Sequence, residues 1–241
     1  MKKELVTFHD IAAERIDVVG WPQMDVYKQE QSFEGRSEFL NSIGIDPTHR
    51  FLVFAANSER LGAHEPGIAS FLLEKINQGV YGSDISLLVR THPNDGRWKQ
   101  RFGSLAEKPN VVVMSAGMGN INLLANTLRH ADVVIATQGS VSLDAAAFDR
   151  CIINIAFDGH LKKSHEDSVA RWYEMDHYQP VVETGGVSLV RSFDELDDAV
   201  NAYLQDPSKD TAGRATLRTV ELEPFDGKSS WRQALAMTGS E

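Results

Sequence analysis

A strand, a glycine turn and a helix that opens with hydroxyl side chains follow one another in residues 132–148. The apolar run at 133–135 is typical of a parallel strand covered on both faces. Residues 140–150 carry Leu, Ala and Phe at helical spacing, which predicts a helix. The first backbone N–H groups of a helix have no internal partner, and the helix dipole is positive there. The turn is therefore a candidate binding site for an anion such as a diphosphate.

The candidate phosphate ligands at this turn are Gln138, Gly139, Ser140 and Ser142. Asp144 follows Ser140 by one helical turn on the same face. Its carboxylate can accept hydrogen bonds from ribose hydroxyls beside the phosphates. The alternative interpretation is a serine N-cap followed by an acidic first turn, which any helix can have. The segment alone does not decide between the two.

A histidine follows another predicted strand, in the sequence Arg90-Thr91-His92-Pro93. Pro93 stops the strand and fixes the loop. An imidazole held over a ligand crevice can donate a hydrogen bond to a phosphate or a proton to a leaving group, so His92 is the candidate catalytic residue. The alternative is an ordinary loop residue. The phosphate-type turn at Ser140 favours the functional interpretation.

These side chains need a scaffold that brings strand ends together. Short apolar strands are predicted at 51–56, 85–91, 111–115, 133–137, 152–157 and 187–190. Helices are predicted between them at 65–78, 97–106, 121–130, 140–150 and 168–177. This alternation predicts an α/β protein with a Rossmann-like, doubly wound parallel sheet of about six strands and helices on both faces. In the strand order 3-2-1-4-5-6, the ligand crevice lies outside the carboxyl ends of the first and fourth strands.

The chemically capable residues follow the ends of these strands. Asn57 and Ser58 follow the first strand and are added to the candidate phosphate ligands. His92 follows the second strand, residues 138–142 follow the fourth, and residues 158–160 follow the fifth. Because parallel strands end at one edge of the sheet, these side chains are expected to gather there.

The N-terminal flank, residues 1–50, differs from the repeated pattern. It contains a short β-like run at 16–19, a turn-rich segment at 20–25 and a predicted helix at 36–43 that Gly44 stops. We interpret it as a lead-in segment or linker and not as a domain.

The nucleotide-binding domain is predicted to span residues 51–206, and residues 207–241 form a helical extension that packs on it. Ser192 and Glu195 form a predicted capping box for a helix at 193–204. Two further amphipathic segments follow, at 211–222 and 229–237.

Other motifs in the sequence are weak. Residues 117–119 read Gly-Met-Gly but lack the third glycine of a dinucleotide fingerprint and follow the third strand. Neither a Walker A motif nor a G-x-S-x-G elbow is present. His160 and residues 165–167 fit no zinc spacing, so we interpret that loop as solvated and predict no metal site. Residues 226–230 resemble a helix entrance more than a phosphate loop, because no strand leads into them.

The composition excludes several classes of protein. A net charge of −10 over 241 residues argues against a nucleic-acid partner or an anionic membrane surface. The single cysteine, Cys151, excludes a disulfide scaffold and favours the cytoplasm. No apolar stretch approaches a membrane span, and charged residues interrupt the sequence after Lys3 where a signal peptide needs an apolar core.

Together these segments resemble the C-terminal, donor-binding domain of a GT-B fold transferase, which is one half of that fold. The nearest groups are the CDP-glycerol glycerophosphotransferases and related polysaccharide transferases, with the UDP-N-acetylglucosamine 2-epimerases more distant. The resemblance covers most of the chain. Residues 18–25 are similar to the segment that leads into that domain, 90–93 to its His-Pro motif, 138–144 to its serine-bearing phosphate turn and 226–232 to its closing segment.

The resemblance implies a role for each site residue. His92 and Ser140 would contact the donor phosphates, Asp144 would lie near the ribose, and the segment around Met118 and Asn120 would approach the base. It also implies a mechanism without a metal or a cofactor. The helix N-terminus and His92 would stabilise charge on the leaving nucleotide while an acceptor hydroxyl attacks.

Two features depart from that family. The glycerophosphotransferases tend to have Asp-Tyr-Ser-Ser at the phosphate turn, whereas this chain has Thr-Gln-Gly-Ser at 137–140. The donor is therefore expected to be either a nucleotide-activated sugar or CDP-glycerol. A GT-B enzyme also carries its acceptor site on an N-terminal domain that this sequence lacks. The chain is expected to be a fragment, to need a partner chain that supplies the acceptor site, or only to bind.

Three functions stay open at this point. The first is the donor-binding half of a glycosyl- or glycerophosphoryl-transferase of cell-surface polysaccharide biosynthesis. The second is a nucleotide-sugar-binding module without turnover. The third is an NAD-dependent oxidoreductase, which lacks support because residues 57–62 read Asn-Ser-Glu-Arg-Leu-Gly where the glycine fingerprint is expected.

Overall fold

The computed structural model describes residues 2–117 and 120–239. Its centre is one parallel sheet. The strands are β1 (Arg50–Ala55), β2 (Ile85–Arg90), β3 (Val111–Met114), β4 (Val133–Ala136), β5 (Cys151–Ile155) and β6 (Ser188–Val190). Their order is β3-β2-β1-β4-β5-β6. The predicted doubly wound α/β class is confirmed. The observed order is the one for which a crevice was expected outside the first and fourth strands, and the chain changes direction across the neighbouring strands β1 and β4.

After Arg50, strand β1 is apolar because both of its faces are covered. Phe51 and Val53 belong to the core on one side of the sheet, and Leu52 and Phe54 to the core on the other side. All four side chains are fully buried. Side chains of a strand alternate between faces, so a run without polar residues is what a central parallel strand requires. Each such side chain stabilises the fold by about 1.5–3 kcal/mol.

Helices pack on both faces of the sheet. The described helices are α1 (Lys2–His9), α2 (Arg36–Ser42), α3 (Glu59–Gly62), α4 (Glu65–Asn77), α5 (Trp98–Phe102), α6 (Ile121–His130), α7 (Ser140–Ala147), α8 (Gln179–Glu183), α9 (Phe193–Gln205), α10 (Thr211–Leu217) and α11 (Ser229–Thr238). Helices α4, α5 and α9 contribute to one core, and α2, α6 and α7 to the other. Within the described ranges, no helix has the length and apolar character needed to cross a membrane.

Two segments differ from the sequence prediction. Residues 16–19 pair with no strand of the described chain, and the carbonyl of Val19 instead accepts a hydrogen bond of 3.0 Å from Arg232. Residues 168–177 were predicted as an α-helix, but 3₁₀ turns at Val169–Glu174 occupy this segment. Tyr173 is drawn onto the sheet by a hydrogen bond of 2.9 Å to the carbonyl of Ile155. The segment is anchored by single side chains and not by a helical apolar stripe.

The two flanks of the chain meet each other. Asp25, in the 3₁₀ segment Pro22–Lys28, accepts hydrogen bonds from the backbone N–H groups of Ser229 (2.9 Å) and Ser230 (2.7 Å) at the start of α11. Gly20 has a φ of 88°, and a Cβ there would lie 2.4 Å from Ser229 Oγ. Residues 226–230 are thus a helix entrance whose N-terminus is occupied by a carboxylate of the chain itself.

Candidate functional site

A pocket of about 380 Å³ opens at the carboxyl ends of β1, β2 and β4. The last residues of these strands, Ala55, Arg90 and Ala136, lie at one level because β1 pairs in register with both neighbours. The loops that follow bring distant segments together. The pocket is lined by Gln23, Ala55, Ala56, Asn57, Arg90, His92, Pro93, Leu124, Thr137, Gln138, Gly139, Ser140, Val141 and Asp144.

Helix α7 begins at the wall of this pocket. Gly139, Ser140 and Val141 all line it, and no side chain caps the helix N-terminus. The helix ends after Ala147, where Asp149 adopts a left-handed backbone with a φ of 55°. The positive end of its dipole therefore faces the pocket, with Ser140 and Val141 in the lining, while the N–H of Ser142 bonds back to the carbonyl of Gly139 at 3.3 Å.

Asp144 lies one turn further along α7 and is almost fully buried. The hydroxyl of Tyr27 donates a hydrogen bond of 2.9 Å to its Oδ1. Burial raises the pKa of Asp144 to about 6, although the hydrogen bond from Tyr27, the charge of Arg90 and a hydrogen bond from Gln23 act in the opposite direction. With a pKa of about 6, Asp144 is mostly ionised at neutral pH. Its carboxylate, whose Oδ1 is held by Tyr27, can then accept a hydrogen bond from a hydroxyl group that enters the pocket.

Arg90 brings a positive charge into the same pocket. Its buried Nε has no hydrogen-bond partner among the described residues. Burial lowers the pKa of Arg90, while Asp144 and Tyr27 oppose that effect. A guanidinium group nevertheless stays protonated at neutral pH. Arg90 was not among the site residues predicted from the sequence, although a charged residue at the end of an apolar strand indicates a position at the ligand crevice.

His92 contributes a neutral donor. Its Nδ1 accepts a hydrogen bond of 3.1 Å from the backbone N–H of Asn94, so the neutral ring carries its proton on Nε2. Burial and the charge of Arg90 lower the pKa of His92, and Asp95 partly opposes them. At neutral pH the ring is therefore an N–H donor and not a cation.

The structure places three predicted residues outside the pocket lining. Ser58 starts α3 through its backbone carbonyl. The hydroxyl of Ser142 is buried and accepts a hydrogen bond of 2.8 Å from Asn154 on β5. The side chain of Asn120 caps α6 by accepting from a backbone N–H at 3.0 Å. Met118 lies outside the described residues. The remaining candidates share one pocket, and sequence reasoning missed Gln23 and the buried Tyr27.

The loop after β5 contributes little to the pocket. Asp158 accepts from Lys163 at 3.0 Å, and His165 pairs with Glu174 at 2.9 Å with both side chains exposed. The ring of His160 packs against Phe193. In the ranges 2–117 and 120–239, no three His, Cys, Asp or Glu side chains are grouped so as to hold a metal ion.

A second cavity of about 380 Å³ lies at the amino ends of β1 and β5. Its buried Arg214 donates to Asp149 at 2.9 Å and to the carbonyl oxygens of Pro207 and Lys209. The charged group at its centre is therefore satisfied by the chain itself. Helix α10 also begins at this cavity, with Thr211 and without a side-chain cap. The guanidinium here is already occupied, whereas Nε of Arg90 in the first pocket has no partner among the described residues.

Comparison with known proteins identifies one family. A family model described as CDP-Glycerol:Poly(glycerophosphate) glycerophosphotransferase matches residues 1–234. No curated protein matches the chain.

Solved structures share the fold at low sequence identity. The wall teichoic acid polymerase TagF is 12% identical with a TM-score of 0.66, and the match covers 99% of this chain and 56% of that chain. The S. aureus MnaA structure with UDP is 14% identical with a TM-score of 0.64 and coverages of 100% and 59%. A UDP-GlcNAc 2-epimerase from Neisseria meningitidis, bound to UDP-GlcNAc, is 14% identical with a TM-score of 0.63 and coverages of 99% and 59%.

These likenesses confirm the predicted Rossmann-like sheet as one half of a GT-B fold. The chain spans between 56% and 59% of the length of these three structures.

Proposed function

The chain belongs to the CDP-glycerol:poly(glycerophosphate) glycerophosphotransferase family, and we propose that its pocket binds the nucleotide diphosphate part of an activated sugar or glycerol donor. One observation carries this proposal. The open N-terminus of α7 at Ser140, the guanidinium of Arg90 and the imidazole of His92 meet in one pocket. Backbone N–H groups, a permanent cation and a neutral imidazole are all hydrogen-bond donors, which suits the oxygens of a diphosphate.

The same donors suit the charge that develops during transfer. When an acceptor hydroxyl attacks the transferred group, the bond to the nucleotide breaks and the nucleotide leaves with the bonding electrons. The leaving group is a nucleoside diphosphate for a nucleotide sugar and CMP for CDP-glycerol. Donors that already point at those oxygens stabilise the developing charge without reorganisation. In this proposal His92 Nε2–H and the α7 N-terminus act on the leaving nucleotide, and neither metal nor cofactor is required.

The ribose is assigned to Asp144, one helical turn after the N-terminus of α7. The hydroxyl of Tyr27 and a hydrogen bond from Gln23 hold the carboxylate of Asp144. We propose that its remaining lone pairs accept from the ribose hydroxyls. Asn57 and Gln138 line the pocket on the phosphate side. Two of the similar structures have UDP and UDP-GlcNAc bound, which supports a nucleotide as the ligand.

We assign donor binding, and not complete transfer, to residues 1–241. The chain spans less than two thirds of TagF and of the epimerase structures. The acceptor is proposed to bind to residues outside the present chain, in the same protein or in a partner. The same coverage favours a second candidate, a nucleotide-sugar-binding module without turnover.

A ligand panel tests the proposal. Thermal unfolding is measured with UDP, CDP, CMP, GDP, UDP-N-acetylglucosamine, CDP-glycerol and NAD, with uridine and cytidine as controls. A pyrimidine nucleoside diphosphate or its ester is expected to raise the unfolding temperature, because only the folded chain binds it. The free nucleosides should have smaller effects. The proposal is wrong if no nucleotide stabilises the chain, or if NAD alone does.

A further inference from the structure

A buried carboxylate lies behind the wall of the pocket. Glu65, the first residue of α4, is fully buried. It accepts hydrogen bonds from the backbone N–H of Asn57 at 2.8 Å and from the hydroxyl of Thr137 at 2.9 Å. The side-chain amide of Asn57 lies at 3.4 Å. Asn57 and Thr137 line the pocket, so Glu65 holds two parts of the wall from the side away from the ligand.

Arg101 on α5 extends this network to a third segment. It donates to the carbonyl of Asn57 at 2.8 Å and lies 3.4 Å from the carboxylate of Glu65. Asp95, in the loop after β2, accepts from the same guanidinium. The side chains of Arg101 and Asp95 are only 7% and 2% exposed. The segments that follow β1, β2 and β4 are thus connected through Glu65 and Arg101.

The charges in this network do not balance when both carboxylates are ionised. Arg101 is one cation between Glu65 and Asp95. The neighbouring His64 adds no charge at neutral pH, because burial lowers its pKa to about 4. Tyr173 lies close enough to Glu65 to be influenced by its charge, and it is a neutral phenol because burial raises its pKa well above the ordinary value.

Glu65 itself is poised between its two protonation states. Burial raises its pKa to about 7, against the hydrogen bonds from Thr137 and Asn57 and the charge of Arg101. The neighbours that contact its oxygens present donor groups. A proton on Glu65 would face these donors, so at least one of the hydrogen bonds would be lost.

We propose that Glu65 is the positioning residue of the phosphate-binding wall, fixing Asn57 and Thr137 so that the loops after β1 and β4 meet a diphosphate in the correct arrangement. This inference rests on the proposed function. Glu65 does not touch the ligand. It acts through the two pocket residues that it binds, and only its ionised form binds both of them fully.

The test compares Glu65→Gln with the wild-type chain of residues 1–241. The probes are CDP-glycerol and UDP-N-acetylglucosamine, whose diphosphate diesters do not titrate between pH 6 and 8. Calorimetry should show an affinity for the bound probe about tenfold weaker in Glu65→Gln, the size of one lost hydrogen bond to a charged group. The affinity for cytidine or uridine should be unchanged. The matched control is Glu59→Gln, an ion-paired and more exposed glutamate on α3.

The pH profile separates positioning from a merely structural role. The wild-type affinity for the diester should fall more than the Glu65→Gln affinity as the pH drops from 8 to 6. Asp144, with a pKa of about 6, titrates in both chains, so the ratio of the two affinities isolates the effect of Glu65. Protonation of His92 at low pH would act in the opposite direction, because it adds a positive charge to the pocket.

If Glu65→Gln shows no cooperative unfolding transition and is therefore not folded, a substitution of Thr137 provides an independent test. Thr137→Val removes one donor to Glu65, and Thr137→Ser keeps it. The valine variant alone should lose affinity for the diester and keep its affinity for the nucleoside. If the wild type binds neither probe, the proposed function fails and this inference with it. Two outcomes with a wild type that binds would show that the positioning role is wrong while the function stands. In the first, Glu65→Gln and Thr137→Val bind the diester as tightly as the wild type. In the second, they lose as much affinity for the nucleoside as for the diester.

Discussion

Tyr27 donates a buried hydrogen bond of 2.9 Å to Asp144 across 117 positions of the chain. The contact joins the segment before β1 to the helix whose N-terminus opens on the pocket. It holds Oδ1 of the carboxylate in place at the pocket. The lead-in segment is in this way part of the proposed ribose site.

Asp144→Asn is expected to weaken binding of a ribonucleotide and to spare its 2′,3′-dideoxy analogue. An amide cannot accept from both ribose hydroxyls as a carboxylate does, and the loss should be about 1–3 kcal/mol for hydrogen bonds to a charged group. Calorimetry with both ligands measures the difference. Tyr27→Phe is the control, since it removes the supporting hydroxyl and keeps the carboxylate. Equal losses for the two ligands would make Asp144 a structural helix residue.

The stability of Asp144→Asn relative to the wild type should depend on pH. Burial raises the pKa of Asp144 from 3.8 to about 6, so the folded wild type binds a proton more tightly than the unfolded chain. The stabilisation from that proton is fully present below pH 3.8 and is lost as the pH rises through 6. The variant should therefore gain relative stability over this window, by up to about 3 kcal/mol. Denaturant unfolding at several pH values measures the difference in stability between the two chains. A difference that does not change with pH would show that the pKa of Asp144 is not raised in the folded state.

His92→Ala should weaken diphosphate binding more than nucleoside binding. The imidazole is assigned to phosphate, and a hydrogen bond to a charged group is worth about 1–3 kcal/mol. Because the pKa of His92 is lowered by burial and by Arg90, the loss should be similar at pH 7 and pH 8. His9→Ala, on the exposed α1, is the control. If UDP and uridine weaken alike, His92 does not meet the phosphates.

Asp25→Asn should destabilise the fold through α11. Burial raises the pKa of Asp25, but hydrogen bonds from Ser230 and Ser229 outweigh it and hold the pKa below 3.8. Its stabilisation is therefore present above pH 3.8 and lost as the pH falls through the lower folded value. At pH 7 the variant should lose about 1–2 kcal/mol, the usual value of an N-terminal cap. Asp17→Asn, at an exposed aspartate of the same N-terminal flank, is the control. Equal stability of the two variants at pH 7 would exclude the cap.

Strand positions and the α/β class follow from local patterns in the sequence. The apolar run at β4 and the regular alternation with helices are properties of short windows, and the predicted helix at 121–130 has the bounds of α6. Long-range pairing is not visible in such windows. The contact of Tyr27 with Asp144 and the placement of Arg90 beside α7 depend on the register between β1 and its neighbours.

Ser142 illustrates a second limit. The glycine turn predicts a hydroxyl at the phosphates, but the rotation of α7 turns this hydroxyl towards Asn154. The signal was present in β5, where Asn154 is a polar residue in an otherwise apolar strand. A buried amide needs partners, and Ser142 and Tyr178 supply them.

Nucleotide binding at the N-terminus of α7 is tested most directly by titrating the isotope-labelled chain with UDP and with CDP and following the backbone amide chemical shifts residue by residue. The amide shifts of Gly139, Ser140 and Val141 should change first and most, followed by that of Asn57. Saturation with nucleotide that leaves these amides unmoved, or that shifts mainly the residues around Arg214 in the second cavity, would contradict it.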